Sequence, residues 1–391
     1  MKLTAVSGLD FRSFGVKILV ELLIVWLGLF AVFTGSSGIF YVYLKHYSAK
    51  PWDLKMDKNF RPPLSILVPV HNEEEVIKAK LENIKEVSYP KENIEVIVAD
   101  DVSQDKTLMK VKNFMENNPE LNIRVVRQNR HAGKSAALNK ALAISTNPIV
   151  IVSDADTQWS SDMLQKALHY LSDPKVGAVT GCGVIENKGQ SWVTKGETDY
   201  LQLGSFLRLG ESKIHSTIRF EGGFCAYKRD AFEKFDCESG SDDSGTALFV
   251  VQNGFRTIFV PEARFMTNFP EDLKGKIRVK KRRANHMMWL WIKSLKLLLK
   301  RRLLLPKKIA IPEIFFFIFN PVVFFALIGV TLITIIIYPV SLVPLIIVLS
   351  LASIVPKVKS YLIEITLGNI ILFYSLVSCI RGKKIFSWNT A

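Results

Sequence analysis

The stretch Pro148-Ile-Val-Ile-Val-Ser-Asp-Ala-Asp156 decides the fold. Ile149, Val150, Ile151 and Val152 are consecutive β-branched apolar residues. Such a run reads as a short strand buried on both faces, the habit of a parallel sheet covered by helices. The strand delivers Asp154 and Asp156 with one residue between them, and in extended chain residues two apart point to the same side. Converging carboxylates repel unless a cation lies between them, and hard divalent ions prefer oxygen ligands. In open α/β sheets ligands bind beyond the carboxyl ends of the strands, where this pair falls. An isolated Asp-x-Asp also occurs as a plain polar turn, so the surroundings carry the decision.

Outward from that strand, Leu64 to about Phe259 alternates strand and helix. Ser65–Val70, Ile94–Ala99, Asn122–Arg127 and Val176–Gly181 read as further strands, with helices over Glu73–Glu86, Lys134–Ile144 and Asp162–Leu171. This order predicts right-handed βαβ units and a mainly parallel sheet. The second strand ends in Asp100 and Asp101. Acids there either accept hydrogen bonds from a nucleotide base or ribose, or serve the next helix, with Ser103 as its cap and Asp105 in its first turn. His131-Ala-Gly-Lys134 lacks the glycine spacing of a phosphate loop, since Gln128 stands five before Gly133. It does place an ammonium at a helix start, where free N–H groups favour a diphosphate; the alternative is a solvated lysine. Gly222-Gly223 permits close backbone approach or a simple turn. Asp242 and Asp243 open a helical stretch and complement its dipole at the least.

Composition bounds the rest. The 391 residues are 49% hydrophobic and carry a net charge of +15; mean hydropathy is +0.20. Lys274 to Lys308 holds 14 Lys or Arg and no acid. Beside apolar segments, such a block predicts an interfacial helix over about Lys276–Leu305 facing anionic headgroups on the cytoplasmic side. No nucleic-acid module accompanies it, which argues against nucleic acid as a partner. Ile18–Leu44, Ile314–Ile337, Val340–Val355 and Leu362–Ile380 are apolar enough for membrane segments, the third being short for a crossing. The four cysteines form no CxxC pair and the histidines no zinc spacing. The expected organisation is an N-terminal transmembrane helix and linker (1–60), a catalytic domain (61–270), a basic interface helix (271–308) and a C-terminal transmembrane region (309–391).

Taken together, Pro69-Val-His-Asn-Glu73, Val98-Ala-Asp-Asp101, Gly133-Lys134, Asp154-Ala-Asp156, Gly222-Gly223 and Ser241-Asp-Asp243 resemble the ordered signature of family 2 glycosyltransferases with the GT-A fold. The likeness runs from about Leu64 to Phe269, and the flanking helices make it similar to the membrane-integrated hyaluronan, cellulose and poly-N-acetylglucosamine synthase branch. The resemblance implies an integral membrane enzyme with a cytoplasmic catalytic domain. Its donor would be a UDP- or GDP-sugar bound by Pro69, Glu73, Asp100, Asp101, Lys134, Asp154 and Arg282. Mg²⁺ or Mn²⁺ would sit on Asp154 and Asp156. Gly222, Gly223 and Asp242 would line the acceptor side, with Asp243 as the base that deprotonates a glycan or lipid-linked hydroxyl. In-line attack inverts the anomeric centre.

Two departures bear on the product. The base motif reads Ser241-Asp242-Asp243 rather than Thr-Glu-Asp. The Gln-x-x-Arg-Trp run of processive members corresponds to Val279-Lys-Lys-Arg282-Arg283, which keeps the arginine alone; Trp289 and Trp291 lie nearby as substitutes. Trp388-Asn-Thr390 resembles a cytoplasmic tail motif of the branch, which conflicts with three C-terminal crossings. The alternative functions are a polyprenyl-phosphate monosaccharide synthase, with Arg282 holding the lipid phosphate, and an inactive nucleotide-sugar-binding scaffold.

Overall fold

The computed structural model describes residues 11–239 and 241–384. The described chain begins with a 38-residue helix, α1 (Phe11–Ser48). After a linker come β1 (Leu64–Val70), α2 (Ile77–Glu86), β2 (Ile94–Asp100), α3 (Thr107–Asn117), β3 (Asn122–Arg127), α4 (Lys134–Ile144) and β4 (Ile149–Val152). These four strands pair parallel in the order β3-β2-β1-β4, and β1, β2 and β4 are buried along their whole length. β4 pairs with Leu64–Leu67 only, so Pro69, beyond that register, costs no ladder bond on that side.

The remaining sheet is mixed. It holds β5 (Gln158–Trp159), α5 (Met163–Leu168), β6 (Val176–Ile185), α6 (Trp192–Ile214), β7 (Cys225–Lys228), α7 (Asp242–Gln252) and β8 (Arg256–Thr267). β7 runs antiparallel to both β4 and β6, β6 and β8 are parallel, and β5 returns antiparallel on β8. The parallel expectation thus describes the first half of the sheet; β7 turns the second half around.

Several boundaries differ from expectation: the interface helix expected over Lys276–Leu305 runs Leu273–Leu299, and that expected over Asp162–Leu171 runs Met163–Leu168 before a 3-10 turn. The helix expected from Glu73 starts at Ile77, after a turn in which the Val76 and Ile77 N–H groups bond to the Glu73 carbonyl at 3.2 and 3.0 Å; Asn72 before it has a left-handed φ of 56°. Ser103 does not cap α3; its hydroxyl accepts the Asn72 N–H at 3.0 Å, while Asp105 takes the Thr107 N–H at 2.9 Å. α6 opens with a capping box, Ser191 and Thr194 each accepting the other's backbone N–H at 3.1 Å.

Below the sheet lies α8 (Leu273–Leu299), whose Gly275 N–H is capped by Asp272 at 2.8 Å. Then come α9 (Lys307–Ile314), a π-turn at Phe315–Phe319, α10 (Asn320–Ile337), α11 (Leu342–Ile354) and α12 (Pro356–Ile380). Pro312, lacking an N–H, sits just before the π-turn. Three helical stretches among the described residues are long and apolar enough to cross a membrane: Gly15–Ser48, Lys307–Ile337 and Val358–Ile380. α11 spans 13 residues, about 20 Å, against a hydrocarbon core of about 30 Å. With two C-terminal candidates rather than three, the chain returns to the catalytic domain, where Lys384 donates to the Glu238 carbonyl at 2.7 Å. Trp388-Asn-Thr390 itself lies outside the described residues.

The basic helix is not a purely outward face. Lys276 pairs with Glu364, Lys280 reaches Glu364 at 2.6 Å and Glu197 at 3.2 Å, and Arg283 lies 3.6 Å from Glu197. Three of its cations therefore clamp α8 to α6 and α12. Trp291 is buried and stacks on Phe317 with ring centroids 5.8 Å apart, so it is not a substitute stacking platform. Trp289 is half-buried beside a cavity of about 280 Å³ lined also by Glu238, Ser239, Lys293 and Lys384.

Candidate functional site

The site forms where β1, β2 and β4 end. Asp154 leaves β4 with its N–H bonded to the Gly222 carbonyl at 3.1 Å. Lys134, the first residue of α4, reaches Asp154 Oδ1 at 2.6 Å and Asp242 Oδ2 at 3.1 Å. One ammonium therefore ties the strand acid to the start of α7. Burial alone would lower the Lys134 pKa; Asp154, Asp242 and Asp243 outweigh it and raise it well above the ordinary lysine value. At Gly222 a Cβ would stand 2.7 Å from Asp154 Oδ2 and 2.8 Å from Lys134 Nζ, so a side chain there would displace both. At Gly223 a Cβ would meet the Phe265 ring at 2.2 Å.

Asp156 is exposed to the cleft. Its carboxyl is raised first by its recessed position and then by Asp154. Glu73 is pushed up to about 7 by burial, then by Asp156, Asp154 and Asp105. This crowding of negative charge around all-oxygen donors fits a divalent cation.

Asp242 and Asp243 divide the work of their motif. Asp242 is buried, and burial, with Asp243 and Asp154 adding to it against Lys134, pushes it up to about 6. Asp243 is half-exposed, and its Oδ1 accepts the Ser241 hydroxyl and the Ser244 N–H, each at 2.5 Å.

Asp100 and Asp101 are fully buried. Asp100 accepts the Ser103 N–H at 3.0 Å and meets Arg127 Nε at 3.0 Å. Asp101 accepts the N–H groups of Ala132 and Gly133 at 2.9 and 2.7 Å and meets His131 Nδ1 at 2.9 Å. In this geometry the Asp101 carboxylate builds the turn that presents Lys134, and the Asp100 carboxylate ties Arg127 of β3 to the segment after β2. His71, Asp101 and His131 have ligand atoms within 4.8 Å of one another. The carboxylate is taken by two backbone amides and the imidazole rings stack at 4.4 Å, an arrangement that holds a turn rather than a metal. Pro69 is buried in β1. Arg282 is half-buried on α8 and has no hydrogen bond or ion pair with a described residue; the fold does not bring it into contact with the acids.

Sequence reasoning missed several supports. Lys80 is fully buried, donates to the Thr157 carbonyl at 2.9 Å and lies 4.4 Å over the Trp159 ring. Burial lowers it to about 7, against the raising effect of Asp154 and Asp156. Glu221, beside the glycine pair, is held by Arg208 at 2.9 Å and by the Gly183 N–H at 3.1 Å. Val102 has a left-handed φ of 64°, and for a β-branched residue that stores about 1–3 kcal/mol of strain at the end of β2. Of these, only the burial of a lysine in an otherwise amphipathic helix left a trace in the sequence.

Comparisons with known proteins agree with this architecture. Residues 65–236 match the Glycosyl transferase family 2 model. The probable glycosyltransferase YdaM of Bacillus subtilis is 30% identical over 272 residues, 68% of this chain and 63% of that protein. Beta-monoglucosyldiacylglycerol synthase of Trichormus variabilis is 32% identical over 200 residues, covering 51% and 41%. The chain thus spans 41–63% of the length of these curated relatives. The mannosyltransferase PcManGT of Pyrobaculum calidifontis, solved with GDP-Man and Mn²⁺, superposes with a TM-score of 0.80 at 28% identity over 93% of this chain and all of that one. The mixed sheet, the acids at its strand ends and these matches identify a glycosyl transferase family 2 domain with the GT-A fold.

Proposed function

We propose that this chain transfers a glycosyl group from a UDP- or GDP-sugar, with Mg²⁺ or Mn²⁺ on Asp154 and Asp156, to a hydroxyl of a lipid-linked acceptor, with inversion. The observation that carries it is the junction of Asp154, Lys134 and Asp242 around Gly222, which joins a donor-side strand end to an acceptor-side helix start. The cation, when bound, offsets the charge of the departing diphosphate. The Lys134 ammonium, fixed between two carboxylates, supplies further positive charge beside it. Asp243 Oδ2 accepts the acceptor's proton as the hydroxyl oxygen bonds to the anomeric carbon. The anomeric carbon–phosphate oxygen bond breaks and its electron pair leaves with the nucleoside diphosphate. Asp242 keeps Lys134 in place, Asp101 acts by shaping the turn under the donor, and Asp100 holds the segment after β2.

The lipid-linked acceptor is supported by the membrane helices. Trp26 of α1 bonds to Thr331 of α10 at 2.9 Å, Phe33 packs on Phe324, and Phe325 of α10 packs on Phe373 of α12 at 4.4 Å. α10 stands between its two neighbours. Lys300, Arg301, Arg302, Lys307 and Lys308 are exposed where the candidate span of α9 and α10 begins. There they suit anionic headgroups and a cytoplasmic catalytic domain. Incubating the purified protein with radiolabelled nucleotide sugars, metal and membrane lipid extract tests the reading. Label should enter a product extractable into organic solvent; a size ladder of water-soluble polymer would overturn the acceptor assignment.

A further inference from the structure

Three asparagines among the described residues take both backbone polar groups of a distant residue: Asn187 holds Phe269 at 3.1 and 2.9 Å, and Asn83 and Asn139, on different helices, do the same beside the site. Asn83 of α2 accepts the Trp159 N–H at 2.7 Å and donates to the Trp159 carbonyl at 2.9 Å. Asn139 of α4 accepts the Phe235 N–H at 2.8 Å and donates to the Phe235 carbonyl at 3.1 Å. In each case a side-chain amide takes both polar groups of one residue, as a neighbouring strand would. Losing either partner would leave backbone groups unsatisfied.

The places held are informative. Trp159 lies three residues beyond Asp156, and the intervening segment is pinned: Lys80 donates to the Thr157 carbonyl, Thr157 Oγ1 to the Asp154 carbonyl at 3.0 Å, and Trp159 Nε1 to the Gly223 carbonyl at 2.8 Å. Phe235 precedes the acid pair of α7, and residues 236–239 are tied to one another and to α7 by hydrogen bonds. Asp236 accepts the Glu238 N–H at 2.9 Å, the Ser239 N–H at 3.2 Å and the Ser239 hydroxyl, and donates its own N–H to Thr246 Oγ1 at 3.0 Å. Gly245 leaves room for that carboxylate, which would lie 2.1 Å from an added Cβ. Asn139 stands five residues after Lys134 on the helix whose first residue binds Asp154 and Asp242.

We infer that Asn83 and Asn139 are positioning residues with separate charges: Asn83 sets the placement of the Asp154–Asp156 loop, and Asn139 sets the acid pair of α7 against the Lys134 helix. The inference rests on the function proposed above and divides it between two clamps. Outer contacts to metal-holding loops are worth about 10–100-fold in metal affinity. Misplacement of a reacting group by about 1 Å costs up to about 10²-fold in rate.

The test uses the full-length protein with Asn83→Ala, Asn139→Ala and the closer-shaped Asn83→Asp and Asn139→Asp, which keep the bond from the backbone N–H should the alanine variants fold poorly. Half-saturating Mn²⁺, calorimetric affinity for the nucleoside diphosphate and transfer rate at saturation are read on each. Asn83 variants should raise half-saturating Mn²⁺ about tenfold or more and keep most of the rate at saturating metal. Asn139 variants should lower the saturated rate about tenfold or more and leave both affinities unchanged. Parallel loss of metal affinity and rate in both sets, or no change in either, overturns the clamps. Absence of metal-dependent nucleotide binding in the wild type would overturn the functional reading, and the clamps with it.

Discussion

The two halves of the sheet reach one cleft by different means. From β1 to β4 the strands run parallel into the site, and acids follow three of them: Glu73 after β1, Asp100 and Asp101 at the end of β2, Asp154 and Asp156 after β4. From β5 to β8 the strands alternate direction, and the functional groups sit on turns and helix starts held by partners distant in sequence. Arg208 reaches Glu221, Arg219 bridges Glu211 at 3.1 Å and Glu313 of α9 at 3.4 Å, and Lys280 joins Glu197 to Glu364. The donor half is built by topology. The second half, which we assign to the acceptor, is built by side-chain pairing and leans on the candidate membrane helices.

If that contrast holds, damage should differ in kind between the halves. Asp156→Ala should have the largest effect, abolishing turnover together with metal-dependent donor binding, as read by initial rates and calorimetry; activity undiminished in excess chelator would break the donor side of the comparison. Asp243→Asn should bind donor and metal almost normally yet lose about 10²–10⁴ in transfer rate. Asp242→Asn should be milder, and the reverse order would exchange their roles. Gly222→Ala forces its Cβ onto Asp154 and Lys134; overpacking of this kind costs about 1–3 kcal/mol, so a lowered thermal midpoint with reduced activity is expected, against neutrality if the turn is loose.

A smaller effect sharpens the electrostatics of the junction. Asp242, ordinarily near 3.8, is pushed up to about 6. Between those values the folded protein holds a proton that the unfolded chain releases, so this group's contribution to stability falls as pH rises toward 6. Thermal melts from pH 4 to 6 should show a steeper decline in the wild type than in Asp242→Asn; equal slopes would remove Asp242 as the source. Glu238→Gln, which breaks a 2.9 Å pair with Lys293 on an exposed carboxylate, should change stability by less than about 1 kcal/mol.

The same contrast governs what the sequence makes legible. A β-branched run followed by acids two apart writes β4 and its carboxylates into nine consecutive residues, and α4 opens at Lys134, as its Gly-Lys start predicts. α6 carries Gly196, Gly204 and Gly210 within its length, which blur a helical pattern; Gly210 is needed because a Cβ would stand 2.7 Å from the Leu44 carbonyl of α1. The cations of α8 read as a lipid-facing block because Glu197 and Glu364, which neutralise three of them, lie some 80 residues away on either side. Asn83 and Asn139 carry no spacing signal at all, since their partners are backbone groups.

In the proposed function, one charged cleft holds a nucleoside diphosphate sugar through a divalent cation on Asp154 and Asp156. Calorimetric titration of UDP and GDP into the wild-type protein, with Mn²⁺ and then with excess chelator, tests it most directly. The account predicts that at least one nucleotide binds with the metal present, and that its binding is lost on chelation and in Asp156→Ala. Binding of equal strength with and without the metal would contradict it.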